Sequence, residues 1–237
     1  MIVSSDQDYK ETKLIKQGNS SINPDFKLLA SWIDNNWKVK VLNVYYDVTI
    51  GTYNKPFPRL NIIFEELEDE LKFRDSFLGN FHSDKQRIIA RKFDELVNGK
   101  SNEQTISVWS YIRPKQYKYN TQGLLVIFDA FKPIARDEAN EQIPQSEVDD
   151  LKAELKNPDI WSISRFASSV TFFFYTQKQA DTAKRGGYIE LLTDKYFDVL
   201  KKHDEFNYFD RQTFSVSIDS KENFDKNYES NWYYYYK

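Results

Sequence analysis

The sequence predicts an α+β fold: a mixed, largely antiparallel sheet with packed helices, built as one compact domain over 1–237 or as two related strand–helix–strand units, 24–132 and 145–237. Three observations carry this. Apolar residues recur at steps of three and four in some windows and alternate in others, so helical and strand periods are both present. Rings are abundant, with 18 Phe, 16 Tyr and 5 Trp against one Met, and rings bury much area at low rotamer cost. Short strings also repeat. Phe93-Asp94-Glu95-Leu96 precedes Gln104-Thr105-Ile106-Ser107-Val108, and Phe197-Asp198-Val199-Leu200 precedes Gln212-Thr213-Phe214-Ser215-Val216, each after an apolar strand at 60–64 or 170–175. Duplication accounts for the echo, and so does independent use of common helix and strand patterns.

Taken in order, residues 1–22 read as polar and irregular. Asn23-Pro24 then caps an amphipathic helix over 24–36, with Phe26, Leu29, Ala30, Ile33 and Trp37 on one stripe. Leu42, Val44, Tyr46, Val48 and Ile50 alternate as a strand, Gly51 and the Pro56/Pro58 pair end it, and Leu60, Ile62 and Phe64 begin another. The carboxylate-rich stretch 65–75 suits a short helix. Ser83-Asp84-Lys85-Gln86 reads as a capping box for a helix with Ile89, Phe93 and Leu96 inward, closed by Asn98-Gly99. Thr105 to Arg113 alternates as a strand, and the apolar run 124–128 suits a central strand covered on both faces. The polar stretch 133–144 is the expected internal boundary. A helix from Ser146 follows, with Val148, Leu151 and Leu155 inward until Pro158, then a strand at 170–175. Next comes a helical stretch interrupted at Gly186-Gly187, with Ile189, Leu192, Tyr196 and Leu200 on one face, then a strand at 213–218 and a last strand at 232–236.

The absence of cysteine excludes disulfides, thiolate metal sites and a cysteine nucleophile, and two histidines, His82 and His203, exclude three-histidine zinc sites within the chain. The net charge of −3 speaks against a polybasic nucleic-acid binder, and no window is apolar enough to span a bilayer. With no basic start followed by an apolar stretch at the N-terminus, a cytoplasmic location is expected. No G-x-S-x-G, Walker A or G-x-G-x-x-G string occurs.

Several residues still offer chemistry. Asp129, inside Val126-Ile127-Phe128-Asp129-Ala130-Phe131, becomes a general acid or base if buried alone, and an ordinary strand-end carboxylate if it faces solvent or pairs with Lys132 or Arg136; the second reading is preferred. His203-Asp204-Glu205 with Asp210 gathers one imidazole and three carboxylates, and reads as a helix C-terminus with Lys201, Lys202 and His203 set against the dipole. The basic-aromatic segment 111–119 resembles a strand-tracking surface, and a hairpin connection explains it better.

Asp219-Ser220-Lys221 resembles the metal-binding half of the PD-(D/E)xK nuclease family over three residues, although no Pro-Asp precedes the strand. The resemblance implies Mg²⁺ held by carboxylates, with Asp210 or Asp198 as the further ligand and Lys221 steadying the attacking water. This Mg-dependent nuclease, using Asp210, Asp219 and Lys221, is the alternative reading, and glycan binding through the rings of Trp232 to Tyr236 is a third.

The leading expectation is different. Acidic runs at 65–70, 137–150 and 204–210, together with abundant rings, suit steering and anchoring of a basic protein partner. In composition the chain is similar to bacterial immunity proteins: small, cysteine-free, acidic and α+β. It is therefore expected to be a non-enzymatic, cytoplasmic immunity or inhibitor-type module, without a cofactor, that occludes the functional surface of a basic toxin or effector. The expected contact residues are Glu66, Asp69, Glu138, Glu141, Tyr117 and Trp232.

Overall fold

The computed structural model describes residues 2–50, 55–75, 79–99 and 117–237. They form an α+β fold in two compact units, Met1–Lys132 and Pro133–Lys237, each with its own three-stranded mixed sheet. The first unit contains α1 (Gln7–Lys16), α2 (Lys27–Trp37), β1 (Val41–Ile50), β2 (Pro56–Phe64), α3 (Leu67–Leu71), α4 (Ser83–Asn98) and β3 (Leu125–Ala130). The chain enters the second unit through the first turn of α5 (Phe131–Glu141). There follow α6 (Gln145–Glu154), β4 (Ile160–Phe166), β5 (Ser169–Phe174), α7 (Gln177–Arg185), α8 (Tyr188–Leu200), β6 (Ser217–Ser220), α9 (Lys221–Tyr228) and α10 (Trp232–Tyr236).

Strand alternation divides each sheet into two faces. In the first unit Leu60, Ile62 and Phe64 pack with Leu29 and Ile33 of α2 and Ile89 and Phe93 of α4. In the second, Val170, Phe172 and Phe174 pack with Val148 and Leu151 of α6 and Leu192, Tyr196 and Leu200 of α8. Full burial of each such side chain is worth roughly 1.5–3 kcal/mol over exposure, so these two faces are the cores.

The sheets repeat one another in register. Each opens with an antiparallel pair whose first strand shifts register at its start, at Val41/Asn43 and at Ile160/Ser162. Each middle strand then runs parallel to the third. Val41 opposes Phe64 as Ile160 opposes Phe174. The next residue donates back across the pair in both, Glu65 to Lys40 and Tyr175 to Asp159. The helix after the third strand is tied at the same place, by Lys132 N to Glu65 O and by Glu222 N to Tyr175 O. In this correspondence Asp129, opposite Ile63, matches Asp219, opposite Phe173. Phe93 and Phe197 of the F-D-x-L echo lie late in α4 and α8. The partner string 104–108 and the expected strand 105–113 lie outside the described residues.

Several elements differ from expectation. The segment 1–22 holds α1, whose buried face is Asp8, Tyr9 and Thr12, so it shows no apolar stripe. The helix expected at 24–36 begins one turn later, because Asn23 and Phe26 close a turn (Phe26 N to Asn23 O, 2.8 Å). The helix α4 has no capping box: His82 is its N-cap, and Gln86 instead donates to Val126 O at 2.5 Å. Among the described strands β2 is central and β3 lies at an edge. The boundary segment 133–144 is largely helical, with Pro133 in the first turn of α5, where its missing N–H costs nothing. The strand β4 was not anticipated, since its register shift breaks the alternation at Trp161. The strand expected at 213–218 begins only at Ser217, because 210–214 is wound into a turn on Asp210 and Val216 N donates to Thr193 Oγ1. The C-terminal rings form a helix, α10, rather than a strand. Glu229 and Ser230 take left-handed backbone angles that reverse the chain, and Asn231 then accepts from Tyr233 N at 2.9 Å.

Candidate functional site

The far face of the second sheet is built of rings. Trp161, Phe173 and Phe224 form its floor, with Trp161 edge-on to Phe173 and tilted against Phe224. Trp232 stacks on Phe224 at 4.2 Å and lies nearly parallel to Trp161 at 6.2 Å. Tyr236 stacks on Phe166 at 4.6 Å, and its hydroxyl donates to Ser164 Oγ at 2.7 Å. Tyr235 points inward, its hydroxyl donating to Asp219 Oδ2 at 2.7 Å. Burial first, then the adjacent Asp219 acceptor, push the Tyr235 phenol up.

These anchors fix α10 so that its remaining rings face outward. Tyr233 is 66% exposed and Tyr234 49%, beside the partly exposed Trp232 and Phe166. The Lys237 ammonium sits over the Tyr233 ring, 5.5 Å from its centroid. Rigid rings on a braced helix lose little rotamer freedom on contact, and their faces attract cations.

Asp219 is part of the brace. Both of its carboxylate oxygens accept from Asn223 Nδ2 at 3.0 Å, and the group also accepts from the Tyr235 hydroxyl and from Ser220 N at 2.7 Å, while Ser220 caps α9 through Asn223 N. Lys221 pairs with Asp225 and covers the Trp161 ring. Asp210 accepts from Gln212 N at 2.9 Å. The three residues of the nuclease reading therefore each serve a different local structure. Among the described residues, no three His, Cys, Asp or Glu side chains gather into a group able to hold a metal ion.

The six expected contact residues divide between the units. In the first, Glu66 pairs with Lys132 at 2.8 Å, and Asp69 is a clamp accepting from Lys40 N and Lys72 Nζ. Tyr117 is exposed, in the segment leading into β3 beside Lys118, which pairs with Asp25. In the second, Glu138 is half-buried on α5, Glu141 is exposed at its end, and Trp232 belongs to the ring surface. Tyr233 and Tyr234, the most exposed rings of this helix, were visible in the sequence only as part of the terminal ring run.

The remaining carboxylates of the sequence reading are structural. His203 Nε2 lies 3.1 Å from Glu147 Oε1, and Asp204 accepts from Lys201, Tyr208 N and Phe209 N after the end of α8. Asp129 does not face solvent. It is buried, accepts from Ile2 N and Asn61 Nδ2 at 3.2 Å each, and burial raises its carboxyl above the usual range. Lys132 pairs with Glu66, and Arg136 lies over Phe209.

Among the described residues, no helix is long and apolar enough to cross a membrane. No protein-family model, no curated protein and no solved structure matches the chain.

Proposed function

We propose that the chain is a non-enzymatic protein-binding module, most concretely an immunity or inhibitor-type protein of the bacterial cytoplasm that covers the functional surface of a basic toxin or effector. One observation carries the reading: Tyr233 and Tyr234 stand outward on a helix whose other rings are locked to the sheet through Asp219, Ser164 and Phe166. A surface fixed before contact avoids much of the ordering cost of association, and tyrosine and tryptophan are the usual anchors. The Tyr233 ring holds one cation on its face, that of Lys237, which a lysine or arginine of a basic partner replaces on docking. Exposed carboxylates such as Glu141 steer the approach of such a partner and make it salt-dependent.

The test is retention from host lysate by immobilised wild type and by a Tyr233→Ser/Tyr234→Ser variant, at low and high salt. The expected result is one basic, stoichiometric partner held by wild type at low salt and lost from the variant. A partner held equally by both removes the ring surface from the interface. A partner indifferent both to salt and to Glu141→Lys removes the steering step.

A further inference from the structure

The far face of the first sheet holds a buried polar cluster beside Ile63 and a Tyr9–Phe131 stack (5.1 Å between centroids), where its counterpart is almost wholly aromatic. Asp8 is 3% exposed and Asp129 4%, with Asn61 fully buried between them. The single Asn61 amide nitrogen donates to both carboxylates, at 2.9 Å to Asp8 Oδ2 and 3.2 Å to Asp129 Oδ2. One of these acids belongs to α1 and the other to β3, and Thr12 of α1 adds a bond from Asn43 of β1 at 3.0 Å. Two buried carboxylates reaching one nitrogen repel each other when both are ionised, since little water screens them.

Other charged groups bear on this pair: Arg59 of β2, which also pairs with Asp47, and Tyr45 of β1 both feel Asp8. The amino terminus favours ionised Asp129, and Asp8 opposes it. Glu70 of α3 also feels Asp129, and is itself paired with Arg74. At the far end of α1, Lys16 and Lys40 grip Glu65. Burial works to raise the Glu65 carboxyl, but the two lysines outweigh it and bring it down to about 2, so this clasp keeps its charge throughout the neutral range.

We propose that α1 is a pH-responsive strap across this face of the first sheet: with a proton on Asp129, facing Asp8 across Asn61, it docks closely, and release of that proton to solvent loosens its N-terminal half. The Lys16–Glu65 clasp keeps the other end tethered, so the motion is a lifting that uncovers Asn61 and Asp129. The sign follows from linkage. A carboxyl raised in the folded state stabilises docking at low pH, and that contribution is lost as pH rises through its folded value.

Amide hydrogen exchange across 7–16, corrected for the intrinsic rate, tests this in wild type and Asp129→Asn at about pH 5 and about pH 8. In wild type, protection of α1 is expected to fall at least about threefold between the two values, while α2 stays constant. In Asp129→Asn, protection is expected to be the same at both. Equal protection of wild type at the two values overturns the proposal, as does a variant that keeps the wild-type response. Asp8→Asn repeats the test from the strap side and decides it if Asp129→Asn does not fold.

Discussion

Asp129 and Asp219 hold the same position in two sheets of the same topology, yet their surroundings are opposite in kind. Asp129 lies under α1 with Asp8 and Asn61, where burial and a second carboxylate disfavour its charge. Asp219 lies under α9 and α10, where Asn223, Tyr235 and Ser220 N all donate to it. At the matched positions of the middle strands Asn61 and Ile63 stand in one sheet and Thr171 and Phe173 in the other, so the ring enters at the position of Ile63 and the amide at that of Thr171. A three-stranded scaffold thus specifies where a carboxylate stands, and the covering helix decides what it does. A polar cover leaves a titratable contact, and an aromatic cover leaves a fixed surface.

The largest effect that breaks this contrast is expected at Phe173. Phe173→Ala removes the floor beneath Trp232 and Tyr235, and should cost about 3–5 kcal/mol in urea unfolding. A loss under about 1 kcal/mol would mean that the ring face is ornamental to stability.

Next come the matched aspartates, whose neutralisation should have opposite signs. Asp219→Asn loses charge-assisted bonds and is expected to lower stability by about 1–3 kcal/mol at neutral pH. Asp129→Asn relieves an unfavourable buried charge and is expected to raise the melting temperature at neutral pH, an advantage that vanishes as pH falls below the unfolded carboxylate value. Shifts of the same sign would show that cover does not control these groups.

Glu65 sharpens the comparison from the acid side. Its folded carboxyl, at about 2, lies below the ordinary 4.5, so its contribution is complete above 4.5 and is lost as pH falls toward 2. Glu65→Gln should cost roughly 1–2 kcal/mol at neutral pH after allowance for the exposed Lys40, and should flatten the acid limb of a stability–pH profile. The smallest effect belongs to Tyr233→Ser/Tyr234→Ser, expected within about 0.5 kcal/mol of wild type by thermal unfolding, because both rings face solvent.

The α+β class and most helices and strands that carry an apolar period are legible in the amino-acid order. The stripe of Leu29, Ala30 and Ile33 and the alternation at 60–64 report burial of apolar side chains, and the break at Gly186-Gly187 reports a backbone turn with Gly187 in the left-handed region, all of which a single sequence records directly. The other features arise from contacts made in the folded chain, most of them between residues distant in sequence. The helix α1 buries Asp8 and Thr12 against Asn61 and Asn43, and polar burial leaves no hydrophobic period to read. The terminal rings became a helix because Asn231 and the left-handed Glu229 and Ser230 turn the chain before them, against the strand preference of tyrosine and tryptophan. The equivalence of Asp129 and Asp219 is a matter of hydrogen-bond register between distant strands. The side chains around them come in part from helices that are far from them in sequence (α1) or close by (α9, α10), and no local pattern encodes that packing.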